Sequence, residues 1–319
     1  MRFNVAIVCA GLAALGSADC NKGGGGGGWL VGTEGMMANV GDDGRLGEGY
    51  DLGATETLNA IACRYDAEAW VVGAHGTVLY TRDGGASWET QDIGTTANLR
   101  ALATQDGGSV FVAGDGVFMT ATPSYTTGQA EWTQLGDGVT KFTSVAAAQR
   151  GTTVLAVSDD GGIWRFANGQ LTRQTTLAGA RSVALSLDGQ TAFVAGDGLW
   201  RSNVATEGTE GTTWSSVAAD PASKYSAIRI DETGDAVAVG DGGIVSRIAT
   251  NGQVLTQHVG TADLKTIHIA PSDDYTGTGY AAGVGGQIWI TQDSGWTWNQ
   301  GPNVGRTVLG ADEIGLGHN

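Results

Sequence analysis

One short unit recurs seven times along the chain, and this repetition constrains the fold more than any other feature. Each copy is a brief apolar strand running into a turn rich in glycine and aspartate: WLVGTEG (29–35), WVVGAHG (70–76), FVAGDG (111–116), LAVSDDGG (155–162), FVAGDG (193–198), VAVGDGG (237–243) and YAAGVGG (280–286). The first turn residue stands at Gly32, Gly73, Gly114, Ser158, Gly196, Gly240 and Gly283, in steps of 38 to 44 residues. A second landmark precedes the turn by about 15 residues: LNAIAC (58–63), LRALAT (99–104), FTSVAA (142–147), ARSVAL (180–185), YSAIRI (225–230), LKTIHI (264–269) and GRTVLG (305–310). Its third residue is small (Ala60, Ala101, Ser144, Ser182, Ala227, Thr266, Thr307) and its fourth aliphatic. Small side chains suit a strand near an axis, where neighbouring sheets converge and little volume is free. A period near 40 residues, built from short strands and glycine-rich turns, predicts a β-propeller of four-stranded blades.

The phase of the repeat predicts how the ring shuts. The first copy, at Trp29, has no inner strand before it, and the last inner-strand signature has no blade after it. A chain of this kind closes when its C-terminal strand supplies the inner strand of the N-terminal blade, leaving no open sheet edge. The reading is therefore all-β: seven antiparallel four-stranded blades as one domain over 29–314, with a short tail at 315–319, and a monomer. Composition agrees. Glycine is abundant, 54 of 319 residues, but proline is only 4 and tryptophan 10, which fits many tight turns around a packed core rather than disorder. No helical periodicity follows the N-terminal segment.

That segment predicts export. Arg2 is the only charge before Asp19, and the apolar run from Phe3 to Leu15 is too short to span a bilayer. Residues 1–19 read as a signal peptide, cleaved after Gly16-Ser17-Ala18 or processed so that Cys20 becomes a lipidated first residue. Leu15-Gly16-Ser17-Ala18-Asp19-Cys20 resembles a lipoprotein box, although Asp19 stands where a small residue is usual. The glycine run Gly23 to Gly28, within a tether over 20–28, favours lipidation because a flexible leash suits a membrane-fixed end. The expected location is the bacterial cell envelope, or the medium if the chain is only secreted. Cys63 sits in an apolar stretch and reads as a small core residue; a Cys20–Cys63 disulfide requires an unlipidated Cys20.

Two sharper motifs fit Ser/Thr-x-Asp-x-Gly-x-Ser/Thr-Trp. One runs from Thr81 to Trp88 through Asp83 and Gly85, the other from Thr291 to Trp298 through Asp293 and Gly295. Weaker echoes end at Trp132 and Trp214. Turn chemistry explains the pattern: an aspartate accepting backbone N–H bonds, a glycine free to take positive φ, and a tryptophan plug. With the VVGAHG and VAVGDGG hairpins, these residues make the chain resemble the BNR/Asp-box propellers, in particular the photosystem II stability/assembly factor branch, across nearly all of 29–314. The resemblance implies a non-enzymatic, seven-bladed scaffold that binds other proteins, without implying photosynthesis. It also implies an arginine-rich client patch. This chain departs from that pattern, with 33 acidic and 17 basic residues and a net charge of −16.

That charge argues against nucleic acid as a partner. The few cations are nonetheless placed with a pattern. Arg100, Arg181, Lys265 and Arg306 take the second position of the inner strand, while His75 and the acids Glu34, Asp115, Asp197 and Asp241 occupy the hairpin turns of the same predicted face. They read either as internal pairs (Arg100–Asp115, Arg181–Asp197, Arg306–Glu34) or as an open basic ring for an anion or carboxylate. His268 and Arg229 share the fifth position, where other blades carry Ala62, Ala103, Ala146 and Ala184. They read as channel-lining or as a core pair satisfying each other. No cofactor and no metal are expected, because zinc spacing and the 12-residue calcium loop are both missing. An Asp-box glycoside hydrolase is the competing enzyme class. Its Arg-Ile-Pro element is missing, as are zinc-protease, nucleophile-elbow and P-loop motifs, so no catalytic residue is assigned. The favoured reading is a protein-binding module on the loop face; a glycan-active or glycan-binding propeller and a structural surface protein are the alternatives.

Overall fold

The computed structural model describes residues 27–41, 45–47, 50–51, 55–64, 68–106, 108–124, 130–203, 213–217, 222–269 and 277–313. The signal peptide, Cys20, most of the tether and the tail 315–319 lie outside the described residues.

The described strands form seven antiparallel sheets of four. Six blades take their strands in chain order, beginning with inner strands Leu58–Arg64, Leu99–Thr104, Phe142–Ala147, Ala180–Leu185, Tyr225–Ile230 and Leu264–Ile269 (blades 2 to 7). Blade 1 is composite. Val308–Glu313 is its inner strand, followed outward by Gly27–Gly32, Met36–Gly41 and Tyr50–Asp51. The first of these begins two residues before the expected Trp29.

The closing strand pairs Trp29 with Asp312, Leu30 with Ala311 and Val31 with Gly310. This corrects the phase of the last inner strand. In the other blades the first inner-strand residue faces the first turn residue, and the second residue is the bulge. In blade 1 Val308 faces Gly32 and Leu309 takes the bulge. The seventh copy is therefore VLGADE, not GRTVLG. Thr307 and Val308 move out of the third and fourth positions, and Arg306 lies in the loop before the strand. The apolar signature misled because Thr307-Val308 matches "small, then aliphatic" better than the true pair, Gly310-Ala311.

The core is divided among the blade interfaces. Each of seven buried apolar clusters draws on two adjacent blades, so each sheet buries both faces. At the closing interface Leu30, Val308 and Ala311 of blade 1 meet Tyr280, Ala282 and Ile288 of blade 7. Burying both faces explains why second strands such as Val110–Gly114 and Ala236–Gly240 are apolar throughout rather than alternating.

Recurrent glycines answer a local demand. Gly32, Gly73, Gly114, Gly196, Gly240 and Gly283 lie against the carbonyl oxygen of the residue before their own blade's inner strand, and a Cβ there would collide with it. The following N–H donates to that same carbonyl, as from Asp115 to Asn98 and from Asp197 to Gly179. Close approach, not left-handed backbone, fixes the first glycine of these six turns; blade 4 carries Ser158 there.

Candidate functional site

The loops entering the inner strands and the second-to-third hairpins meet on one face of the ring, and the sequence-predicted charged residues stand there. Their side chains are paired. Arg100 holds Asp115 through two donors, Nε to Oδ1 at 2.8 Å and Nη2 to Oδ2 at 3.2 Å. Arg181 Nη2 reaches Asp197 Oδ1 at 2.7 Å, and Arg306 Nε reaches Glu34 Oε2 at 3.2 Å. Lys265 Nζ lies 3.2 Å from Asp263 and 3.6 Å from Asp241 of the neighbouring blade. His75 Nδ1 is 2.6 Å from Glu56 Oε2.

The pairing has electrostatic consequences. The hydrogen bond from Arg100 holds the Asp115 carboxyl below its ordinary value, and Asp115 in turn raises the guanidinium. The Gly242 amide and then Lys265 do the same for Asp263. All these pairs meet solvent, so each stabilises the fold by only about 0–1 kcal/mol. They are a patterned surface, with cations towards the axis and carboxylates towards the rim. Two turn residues add strain. Glu34 and His75 adopt left-handed backbone (φ 57° and 53°) where the matching turns of other blades place Gly242 and Gly285.

The two aspartate turns lie on the opposite face, between third and fourth strands. Asp293 accepts from Thr291 Oγ1 and the Thr297 amide at 2.8 Å each, and from Thr297 Oγ1 at 2.6 Å; Gly295 N–H donates to Thr291 Oγ1. Asp83 repeats the pattern with Thr81, Ser87 and Gly85. Burial pushes both carboxyls up, but the bonds from Ser87 or Thr297 outweigh it and hold both below the usual range. Gly85 and Gly295 take φ of 89° and 88°. Trp88 packs edge-on against Trp29, and Trp132, an echo, against Trp70, each plugging the seam to the preceding blade. Trp298 and Trp214 join the corresponding clusters of their own seams. Trp164, Trp200 and Trp289 likewise pack between blades. The aspartate turns close turns and seams away from the charged loop face, whereas Trp164 reaches that face, its Nε1 donating to Ser158 Oγ of the hairpin turn.

The axis holds a cavity of about 680 Å³ lined by inner-strand residues. Arg100, Arg181 and Lys265 line one end, while Asp106, Asp231 and Glu232 line it elsewhere. His268 and Arg229 line it too, but they do not satisfy each other. Both address Asp312 of the closing strand, His268 Nδ1 at 3.0 Å and Arg229 Nη2 at 3.9 Å from Oδ1. Asp312 Oδ2 accepts the Cys63 amide of blade 2 at 2.8 Å. Burial pushes the Asp312 carboxyl up, but the His268 bond, the Arg229 charge and the Cys63 amide hold it below its ordinary value. Sequence reasoning missed Asp312 because the last repeat was phased three residues early; in the correct phase it falls on the same fifth position as His268 and Arg229. Among the described residues no group of three or more His, Cys, Asp and Glu side chains is arranged to hold a metal ion. No described helix is long and apolar enough to cross a membrane.

No protein-family profile matches the chain, and no curated protein matches it. Solved structures do match. YCF48 bound to D1 peptide superposes with a TM-score of 0.58 at 17% identity, covering 77% of this chain and 82% of the other. A functionally unknown protein from Desulfotomaculum acetoxidans DSM 771 gives 0.69 at 12% identity, covering 91% and 99%. Chaetomium thermophilum Sqt1, bound to the N-terminus of ribosomal protein L10, gives 0.59 at 14% identity, covering 80% and 77%. The class is thereby fixed as a seven-bladed β-propeller. The likeness extends to propellers solved with a peptide or protein segment bound.

Proposed function

We propose that this chain is an exported, lipid-anchored, non-enzymatic propeller that acts as a protein-binding or assembly scaffold, docking its partner on the loop face. The observation that carries the reading is the patterned ring of exposed charge at that mouth. Arg100, Arg181 and Lys265 sit towards the axis, and Asp115, Asp197 and Asp241 sit outside them. Exposed pairs of this kind add little stability, so they are free to exchange partners when a complementary surface arrives. Export and anchoring rest on the N-terminal sequence alone, with Cys20 as the acceptor. The BNR/Asp-box assignment rests on the two aspartate turns. The peptide-bound propellers of similar fold support the mode of action, since YCF48 has been solved with D1 peptide and Sqt1 with an L10 segment.

The test is affinity capture from envelope extracts of the source organism, with wild-type protein beside an Arg100→Ala/Arg181→Ala variant. The expected result is a stoichiometric partner retained by wild type and lost by the variant, with both proteins melting at the same temperature. Equal retention by both would place the contact elsewhere. Turnover of a fluorogenic sialoside would replace the scaffold reading with the glycosidase one.

A further inference from the structure

The face opposite the charged loops carries most of the exposed apolar bulk. Among the described residues five large apolar side chains are exposed: Leu46, Val139, Leu255, Val284 and Trp296. Val139 and Val284 belong to turns of the loop face. The other three stand at the aspartate-turn end of blades 1, 6 and 7, which are neighbours round the ring. Leu46 bridges Val40, level with Gly28 of the first strand. Leu255 is the second residue of the outer strand Val254–His258, and Trp296 sits in the aspartate turn of blade 7.

Trp296 and Leu255 stand side by side at one guanidinium. Val237, Arg247 and Leu255 oppose one another across three strands of blade 6. The aspartate turn of blade 7 lies along this row. Gly295 packs on Val237, the Ser294 carbonyl accepts from Arg247, and the Trp296 ring is centred 5.0 Å from the Arg247 guanidinium carbon. Arg247 is buried and held by Asp231 at 3.1 Å and Asp235 at 2.8 Å, so the indole rests on a fixed cation. The turn itself does not require an indole there. Ala86 takes the matching position in the other aspartate turn, with the same hydrogen bonds around Asp83. Trp296 is nevertheless 50% exposed.

The chain enters on this same side. Gly27–Gly32 runs towards the loop-face turn at Gly32, so Gly27 lies at the aspartate-turn end, where Gly28 packs on Tyr280 of blade 7. Seven peptide steps separate Cys20 from Gly27, at most about 25 Å even when straight. A lipid on Cys20 brings the face with the shorter reach to the bilayer, and the loop face lies a strand's length, about 17 Å, further off. Tryptophan and leucine suit the boundary between headgroups and acyl chains. A short leash makes even a weak contact there effectively intramolecular. The net charge of −16 favours a zwitterionic surface over an anionic one.

We propose that the aspartate-turn face is the membrane-facing side of the anchored protein, with Trp296, Leu255 and Leu46 resting in the interface of a zwitterionic bilayer and the loop face presented away from it. This orientation rests on the anchor at Cys20 proposed above.

Tryptophan fluorescence of the acylated mature chain in phosphatidylcholine vesicles, with and without bromine on the acyl chains, tests it. Brominated lipid should quench part of the wild-type emission. Trp296→Ala should lose most of that quenching while melting at the wild-type temperature, as Ala86 in the other turn implies. Leu255→Gln leaves every tryptophan in place and should reduce the quenching at least about twofold. Hydrogen exchange on vesicles, relative to detergent, should slow at 293–298 and stay unchanged at 115–116 and 197–198. An acylated wild type that is not quenched, undiminished quenching in Trp296→Ala, or slowing confined to the loop face would overturn the orientation and leave the anchor standing. A mature chain whose Cys20 carries no acyl group by mass spectrometry would overturn both.

Discussion

Single carboxylates in this molecule act mainly by organising turns. Asp83 and Asp293 each receive three donors, two from the Ser or Thr four residues later and one from the Thr two residues earlier. Removing the carboxylate orphans an amide and two hydroxyls, so Asp293→Ala is expected to lower unfolding stability by about 1–3 kcal/mol at neutral pH. Because both carboxyls titrate below their ordinary value, the contribution is complete above the unfolded-state value near 4 and is lost as pH falls through the lower folded value. Thermal unfolding from pH 7 down to about pH 2 should therefore show the gap between wild type and Asp293→Ala narrowing below about pH 4. A constant gap would mean that the side chain's contribution does not depend on its ionised form, and the absence of any gap that the backbone alone holds the turn. The strain at Glu34 and His75 belongs to this scale as well. Each has a charged or ionisable partner, Arg306 and Glu56, of a kind that Gly242 and Gly285 cannot offer.

At the scale of elements, the closing strand carries the most consequence. Val308–Glu313 covers the edge of Gly27–Gly32, buries Val308 and Ala311, and sends Asp312 to blades 2, 6 and 7 at once. A chain ending at Arg306 would expose a paired edge and part of a core cluster. It is expected to unfold at lower temperature and to associate, read by light scattering, while a synthetic 306–314 peptide added back restores the monomer. Asp312→Ala leaves the strand in place and should cost about 1–3 kcal/mol, since the His268 ring and the Cys63 amide lose their acceptor and Arg229 loses a nearby countercharge. An unchanged melting temperature in both would show that the strand is ornamental. The strand's existence was legible from the missing inner strand before Trp29; its register was not. Neither apolar pattern nor repeat spacing separates Thr307-Val308 from Gly310-Ala311, and the deciding fact, a carbonyl from Thr307 packed on Gly32, is a contact across the whole chain.

For the whole molecule, a period of about 40 residues sufficed to read seven sheets around an axis, because each unit carries its own strands and turns. The loop-face charges were legible one by one, and so were the pairs of Arg100, Arg181 and Arg306; the partners of Lys265 and His75, which lie outside the same blade's hairpin, were not. The asymmetric interior was not, because Arg229, His268 and Asp312 come from three blades and converge only once the ring has closed. The molecule thus offers two faces of different character, charge-patterned loops at one mouth and self-satisfied aspartate turns at the other, and the proposed docking uses the first. Hydrogen exchange on the partner complex recovered by wild-type capture tests this most directly. The expected result is protection of 97–100, 115–116, 179–182, 197–198 and 263–265, with 81–88 and 291–298 exchanging as in the free protein. Protection confined to 81–88 and 291–298 would put the partner on the wrong face and contradict the account.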